Sequence, residues 1–248
     1  MFYEFMKTTL ALLVIVLLRL NAQAQGAVND TAFIAEAVKN TISVYDKFLE
    51  GQQLFYTGSL FGEPVRTNET HAYLFTDEWS QEALTFDSEL FYPVPLLYDI
   101  TRDQLVTESV SGNMQAIPGD RVDNFKLRGE YFERISKDDY HGSLPRTGFY
   151  QVLYDGKTKV ISLRQKLVQE RVEQNKIQFD YYEKRRYYVL HGGKFIPVKS
   201  RKALISLLAD RKAELKAHVK NNRVVFKNLE LALPGIAMHY DLLIADQK

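Results

Sequence analysis

The segment from Thr70 to Glu108 most strongly constrains the fold of this chain, because its apolar and aromatic residues occur in runs too short for helices. Asp, Ser, Pro and Arg-Asp pairs separate the runs, as turns separate the strands of an antiparallel sheet. The segment therefore predicts a β-meander. Its predicted strands are Ala83–Phe86, Leu90–Ile100 and Leu105–Thr107, with turns at Asp87-Ser88 and Thr101–Asp103.

Pro93 and Pro95 lie inside the second of these predicted strands. Proline cannot donate a hydrogen bond to a neighbouring strand, so a sheet tolerates it mainly at an edge or in a bulge. We therefore expect the entry to the Leu96–Tyr98 part of this strand to lie at an edge or in a bulge.

A second series of strand signals lies between Arg121 and Val198. The dipeptide Asp155-Gly156 is a strong hairpin signal, and the two Gly residues within His191–Lys194 indicate another turn. Asp138–Arg146, which contains Gly and Pro, indicates a loop. The predicted strands of this series are Arg121–Arg128, Tyr131–Ile135, Phe149–Tyr154, Lys159–Val168, Ile177–Tyr181, Tyr187–Leu190 and Phe195–Val198. A separate short strand is predicted earlier in the chain, at Leu54–Tyr56.

Capping residues and periodic apolar positions predict helices on both sides of the strands. Asp30 caps a predicted helix over Thr31–Glu50, and Ser200 caps another over Arg201–Lys220. A final helical segment is expected to break at Pro234-Gly235, because proline is costly inside a helix. The predicted fold class is α+β: a large, curved antiparallel β-sheet with an N-terminal helix and a C-terminal helical pair packed on it.

Residues 1–24 have the features of a cleaved secretory signal peptide. Lys7 precedes an apolar run over Leu10–Leu20, and Ala22 and Ala24 occupy the two positions that signal peptidase recognises. A membrane anchor is the alternative, but the run is shorter than the ~20 residues that a span needs, and Arg19 interrupts its end. We expect residues 25–248 to form a single β-rich domain in the periplasm or outside the cell, with no membrane-spanning segment after cleavage.

Charge is unevenly distributed along the chain, although the formal net charge of the whole sequence is +1. Residues 25–156 include 10 basic and 21 acidic residues, a net charge of −11, whereas residues 157–202 include 13 basic and 4 acidic residues, a net charge of +9. The simplest interpretation is that the two parts neutralise each other in the folded protein.

The basic part also contains the candidate ligand-binding residues. Its cations are interspersed with Tyr on predicted adjacent strands, and such a surface can hold anionic groups and stack on sugar rings. An anionic glycan, an anionic lipid and an acidic protein are the candidate partners, whereas export argues against nucleic acid. The alternative is that the Tyr residues are ordinary strand formers and the cations a solvated face. The candidates are Arg164, Lys166, Tyr182, Lys184, Arg185, Arg186 and Tyr188.

Familiar catalytic motifs are missing from the sequence: it has no nucleophile elbow, zinc-protease motif, phosphate-binding loop, dinucleotide fingerprint or calcium loop. It also has no Cys, which excludes disulfides and thiol catalysis and fits a bacterial periplasm. Asp138, Asp139 and His141 come nearest to a metal site but lack a second ligand group at a fixed spacing, so no metal or cofactor is predicted. Asp87 and Glu89 would share a strand face and represent the carboxylate pair that a glycoside hydrolase needs.

Several segments resemble those of a group of exported proteins that is common in Bacteroidota. The similar segments are His71–Phe75, Leu84–Asp87, Val94–Asp99, Gly148–Tyr154 and the predicted helix after Ser200. The resemblance extends over most of the mature chain. No activity is assigned to that group, so the resemblance implies a periplasmic location and no catalytic residues. The sequence as a whole predicts a non-enzymatic periplasmic or cell-surface binding module, and a secreted hydrolase acting through carboxylates is the alternative.

We expect the exported protein to begin at or near Gln25, because Ala22 and Ala24 form the well-placed pair of small residues after the apolar run. The intact mass of protein recovered from the periplasm measures this directly. Material that retains Met1 would contradict the predicted export.

Overall fold

The computed structural model describes residues 58–64, 70–109, 111–173, 176–222 and 225–245. The helix predicted over Thr31–Glu50 and the strand predicted over Leu54–Tyr56 lie outside these residues. Within the described ranges, no helix is both long and apolar enough to cross a membrane.

One antiparallel sheet contains all ten described strands. They are β1 (Ser80–Phe86), β2 (Glu89–Asp99), β3 (Gln104–Glu108), β4 (Met114–Ala116), β5 (Val122–Leu127), β6 (Glu130–Ile135), β7 (Gly148–Tyr154), β8 (Val160–Glu173), β9 (Lys176–His191) and β10 (Lys194–Val198). Their order in the sheet is β10-β9-β8-β7-β6-β5-β1-β2-β3-β4. The sheet therefore consists of two meanders that join where β5 pairs with β1, which confirms the predicted antiparallel sheet in outline.

Two of the predicted turns have the backbone conformation that a tight hairpin needs. Asp87 and Ser88 have positive φ angles of 49° and 65°, and Phe86 pairs with Glu89 across them. Gly192 and Gly193 likewise have φ angles of 60° and 74° between β9 and β10. A positive φ at both central residues is typical of the type I′ turns that join antiparallel strands.

The position of the prolines in β2 is also as predicted. The register between β1 and β2 shifts opposite Pro93, since Val94 pairs with Glu82 but Phe91 pairs with Leu84. On the other side of β2, β3 pairs only with Leu96–Asp99. The entry to β2 therefore combines a bulge with a strand end that β3 does not cover.

Buried aromatic rings join the two meanders. The ring of Tyr98 on β2 makes edge-to-face contacts with Phe125, Phe132 and Phe149, with centroids 5.3, 5.6 and 5.9 Å away. Phe125 and Phe132 stack on each other at 4.9 Å. Because these rings come from β2, β5, β6 and β7, their burial holds together strands that are far apart in the chain.

Strands β8 and β9 extend beyond their neighbours as a two-stranded ribbon. They pair along their whole length, from Val160 opposite Val189 to Glu173 opposite Lys176. In contrast, β7 pairs only with residues 160–162 of β8, and β10 pairs only with residues 187–191 of β9. We call residues 163–173 and 176–186 the ribbon. The two separate strands predicted for β9 are therefore wrong, because residues 182–186 also pair with β8.

The helices after the sheet are α1 (Arg201–Leu207), α2 (Lys212–Asn221) and α3 (Leu229–Ala245). Ser200 caps α1 as predicted, and its Oγ accepts a hydrogen bond of 3.1 Å from the amide of Ala203. The single helix predicted over Arg201–Lys220 is wrong, since Leu208 has a non-helical ψ of 54°. Leu208 is buried in a core shared with α3, so the burial of its side chain compensates for the interrupted helix.

The predicted break at Pro234-Gly235 is also wrong, because α3 continues through both residues. Gly235 lies against the buried ring of Phe226, and a Cβ atom at position 235 would be only 2.7 Å from that ring. The glycine therefore permits a close contact that anchors the start of α3. Burial of Leu233 and Ile236 in the same core offsets the hydrogen bond that Pro234 cannot donate.

Replacing Gly235 with Ala should lower the free energy of unfolding by about 1–3 kcal/mol, the usual cost of overpacking a core. Phe226→Leu in the same chain should recover part of this loss, because the shorter side chain leaves room for the added methyl group. Thermal unfolding of the wild type, both single variants and the double variant measures the coupling. Strictly additive effects would contradict a close contact between the two positions.

Candidate functional site

The seven predicted ligand-binding residues lie on two opposite faces of β8 and β9. Successive side chains of a strand alternate between the faces of a sheet, and directly opposite residues share a face. Arg164 pairs with Arg185, and Lys166 pairs with Glu183. We call the face with Arg164, Lys166, Glu183 and Arg185 the network face, and the face with Tyr182, Lys184, Arg186 and Tyr188 the open face.

Arg164 is buried on the network face, with only 5% of its side chain exposed. Its Nε donates a hydrogen bond of 2.8 Å to Oε1 of Glu183, and its Nη1 donates one of 3.2 Å to Gln151. The same Nη1 lies 3.9 Å from a carboxylate oxygen of Glu230 on α3. The guanidinium also packs over the ring of Phe75, 4.9 Å from its centroid. Arg164 is therefore an internal residue that links the ribbon to α3.

Arg185 shares the two carboxylates that surround Arg164. Its Nε donates a hydrogen bond of 2.7 Å to Glu183, and its Nη1 donates another to Glu230. Burial opposes the ionisation of Glu183, but hydrogen bonds from Arg185 and Arg164 outweigh it and lower the pKa of this carboxyl. Two cations and two anions thus form a cluster with no formal net charge.

Lys166 holds the ribbon against the segment that precedes β1. Its Nζ donates hydrogen bonds to the carbonyl oxygens of His71, at 2.7 Å, and Tyr73, at 2.5 Å. Burial lowers the pKa of Lys166. Since Arg164, Lys166 and Arg185 all have internal partners, we do not include them in the binding surface proposed below.

The open face presents two cations and an aromatic ring to solvent. Lys184 and Arg186 are exposed, and 52% of Tyr182 is exposed. The residues opposite the two cations are Gln165 and Leu163, neither of which carries a charge. Among the residues that the structure describes, neither Lys184 nor Arg186 forms an ion pair or a side-chain hydrogen bond. These two charges are therefore available to a ligand.

Tyr188, the remaining predicted residue on the open face, lies in the core. Only 5% of it is exposed, and its ring meets the ring of Tyr150 edge to face at 6.2 Å. The sheet continues past Tyr188 to Phe195 on β10, which belongs to the same buried cluster. Tyr188 therefore packs in the core beneath the open face and cannot contact a ligand.

The acidic candidates from the sequence do not form a catalytic pair or a metal site in the described part of the chain. Asp87 lies in the turn before β2, so it does not share a strand face with Glu89 as predicted. A hydrogen bond from Arg121 lowers the pKa of Asp87, which favours the ionised form over a proton donor. Asp138 and Asp139 are exposed in a short helical turn. No group of three potential metal ligands comes together among the described residues.

A further group of cations, which the sequence analysis did not single out, surrounds a cleft of about 600 Å³ between α1 and α2. We call it the helical cleft. Three of its lysines recur every fourth residue along α2, a spacing that places them on one side of a helix. That periodicity was readable in the sequence, but the contribution of α1 to the same cleft depends on how the two helices pack. The cations are Arg201, Lys202, Lys212, Lys216 and Lys220.

Comparisons of the chain with protein-family models, curated protein sequences and solved structures find no match.

The lowered pKa of Glu183 makes part of the stability depend on pH. Because its pKa is below the ordinary value of 4.5, its contribution is present above that pH and is lost as the pH falls through the lower, folded-state value. Glu183→Gln should reduce the free energy of unfolding near neutral pH by about 1.5–3 kcal/mol, the usual size of hydrogen bonds to charged groups. The difference in unfolding free energy between this variant and the wild type should shrink in acid. Urea unfolding near neutral pH and in acid measures it.

Glu170→Gln is a matched control for this measurement. Glu170 lies on the same face of the ribbon but is exposed and has no hydrogen bond or ion pair with other described residues. Its replacement should change stability by less than about 0.5 kcal/mol at either pH. Equal effects of the two substitutions would contradict the special role of Glu183.

Proposed function

We propose that this protein is an exported, non-enzymatic binding module that holds acidic polysaccharides on the open face of its ribbon. One observation carries the proposal: strand alternation separates the three consecutive cations Lys184–Arg186 of β9 into one that is neutralised and two that have no partner among the described residues. Arg185 contacts two carboxylates, whereas its neighbours Lys184 and Arg186 contact none within the described ranges.

The geometry of the open face suits a polymer with repeated negative groups. Lys184 and Arg186 lie two residues apart on one strand, so their Cα atoms are about 7 Å apart. An Arg guanidinium can bind a carboxylate or sulfate through two parallel hydrogen bonds, and a Lys ammonium adds a compact positive charge. Tyr182, Lys184 and Arg186 are all exposed on this face, whereas Leu163, opposite Arg186, is buried.

Tyr182 favours a sugar over other anionic partners. Its ring is exposed opposite Leu167, which is also 52% exposed, and together they present a flat apolar surface next to the cations. The apolar face of a sugar ring can stack on such a surface while its acidic group reaches Lys184 or Arg186. Anionic lipids and acidic proteins offer the charge without this combination of ring and repeated spacing.

The double variant Lys184→Gln/Arg186→Gln tests the proposal. Its affinity for immobilised polygalacturonate at low salt should fall at least tenfold, because two charge-assisted contacts are lost. Its melting temperature should remain unchanged, since exposed charges contribute only ~0–1 kcal/mol each. Tyr182→Ala should also weaken retention without changing the melting temperature.

Arg185→Gln is the control, because it removes one charge from the same strand but on the network face. It should lower the melting temperature and leave retention on polygalacturonate unchanged. The proposal fails if the wild type is not retained at low salt, or if Arg185→Gln weakens retention as much as the double variant does. Tighter binding to phosphatidylglycerol vesicles or polyglutamate than to polygalacturonate would replace the glycan with a lipid or a protein partner.

A further inference from the structure

The helical cleft defined above is separate from the ribbon and has the dimensions of a small-molecule site. Its volume of about 600 Å³ falls within the ~300–1,000 Å³ that is typical of ligand pockets. Ile205, which is 7% exposed, and Val219 contribute an apolar floor, and Ser206 adds a hydroxyl group. The cleft thus combines an apolar floor with polar groups that could orient a ligand.

None of the described residues neutralises the positive charge in the helical cleft. Its lining includes five cations and no Asp or Glu. None of these cations forms an ion pair or side-chain hydrogen bond with another described residue. Several arginines elsewhere in the described chain, such as Arg121, Arg146 and Arg164, do have carboxylate partners.

The nearby carboxylates are engaged in other contacts. Asp210 accepts a hydrogen bond of 3.0 Å from Tyr240, and Glu214 lies 3.5 Å from Arg211. Glu230 accepts a hydrogen bond from Arg185 of the network face, and Asp241 accepts hydrogen bonds from Tyr154 and from the amide of Thr158. These four are all the acidic residues described between Ala203 and Ala245, so the C-terminal helices supply no internal anion to the cleft.

Repulsion between the lysines of α2 adds to the uncompensated positive charge of the cleft. Lys212, Lys216 and Lys220 are successive neighbours at a spacing of four, where like charges destabilise a helix by roughly 0.2–0.5 kcal/mol per pair. Arg201 and Lys202 add two more charges from α1. A bound anion would turn this repulsion into attraction.

We propose that the helical cleft binds a compact ligand with two neighbouring phosphate groups. A single carboxylate would leave most of the five charges unbalanced, whereas two phosphates carry about −3 to −4. Arg201 is suited to bidentate phosphate contacts, and the lysines provide point charges around it. The same chemistry occurs in a free diphosphate and in a diphosphorylated lipid headgroup.

Calorimetric titration of the full mature chain with inorganic pyrophosphate at low salt tests the proposal. The wild type should bind one equivalent, and Lys212→Gln/Lys216→Gln/Lys220→Gln should bind at least tenfold more weakly while remaining folded. The matched control is Lys126→Gln/Lys137→Gln/Lys194→Gln, which makes the same change in net charge at exposed positions away from the cleft. This control should retain the affinity of the wild type.

A second titration, with vesicles containing cardiolipin, identifies the source of the phosphates. Binding of pyrophosphate alone supports a soluble ligand, and binding of vesicles with the same dependence on the three lysines supports a headgroup. The proposal is overturned if neither probe binds, if the control triple variant loses as much affinity, or if inorganic monophosphate binds as tightly as pyrophosphate. The ribbon variant Lys184→Gln/Arg186→Gln should bind pyrophosphate normally, so failure at one surface is distinguishable from failure at the other.

Discussion

The packing of the ribbon against the C-terminal helices depends on the ion pairs that Glu183 and Glu230 form with Arg164 and Arg185. A guanidinium as buried as that of Arg164 is strongly destabilising unless an anion and hydrogen-bond acceptors surround it. Glu183 comes from the ribbon and Glu230 from the first turn of α3, so the same cluster joins the sheet to a helix. Removing either anion would leave positive charge in a place that water reaches poorly.

A second cluster, around the carboxylate of Asp103, neutralises an arginine in the same way at the other meander. Asp103 has a positive φ of 59° in the turn after β2, and its carboxylate accepts hydrogen bonds from Tyr98 and Arg146. Gly148 is needed beside it, because a Cβ atom there would lie 2.2 Å from Asp103 Oδ2. Burial, together with the nearby charge of Asp103, raises the pKa of Tyr98 well above its usual value. In both clusters a carboxylate neutralises an arginine between elements that are distant in sequence.

This internal use of carboxylates explains why some cations have no partner among the residues that the structure describes. The neutralisation of the basic part by the acidic part, as the charge distribution suggested, occurs at Lys159, which contacts Glu133 and Asp155. Arg164 and Arg185 are instead neutralised by Glu183, within the basic part itself, and by Glu230. The open face and the helical cleft keep their positive charge because the nearby described carboxylates contact other groups. On the open face, for example, Asp180 lies 3.5 Å from Arg171. Both proposals rest on that distribution.

Local patterns determined much of the described sheet. Apolar runs of strand length, the turn residues Asp87-Ser88 and Gly192-Gly193, and the cap at Ser200 depend on neighbours within a few residues, so the sequence alone predicted them. Alternation along β9 separates Arg185 from Lys184 and Arg186. The predicted strands ended at Tyr181 and resumed at Tyr187, so this separation became visible only once the pairing with β8 was known. Tertiary structure decided which of the two faces is neutralised. Glu230 is 45 residues from Arg185, and the carbonyl that holds Lys166 is 93 residues away. Tertiary structure likewise decided that the helix predicted over Arg201–Lys220 divides at Leu208 and that α3 continues through Pro234. In both places burial in a shared core outweighed local helix propensity.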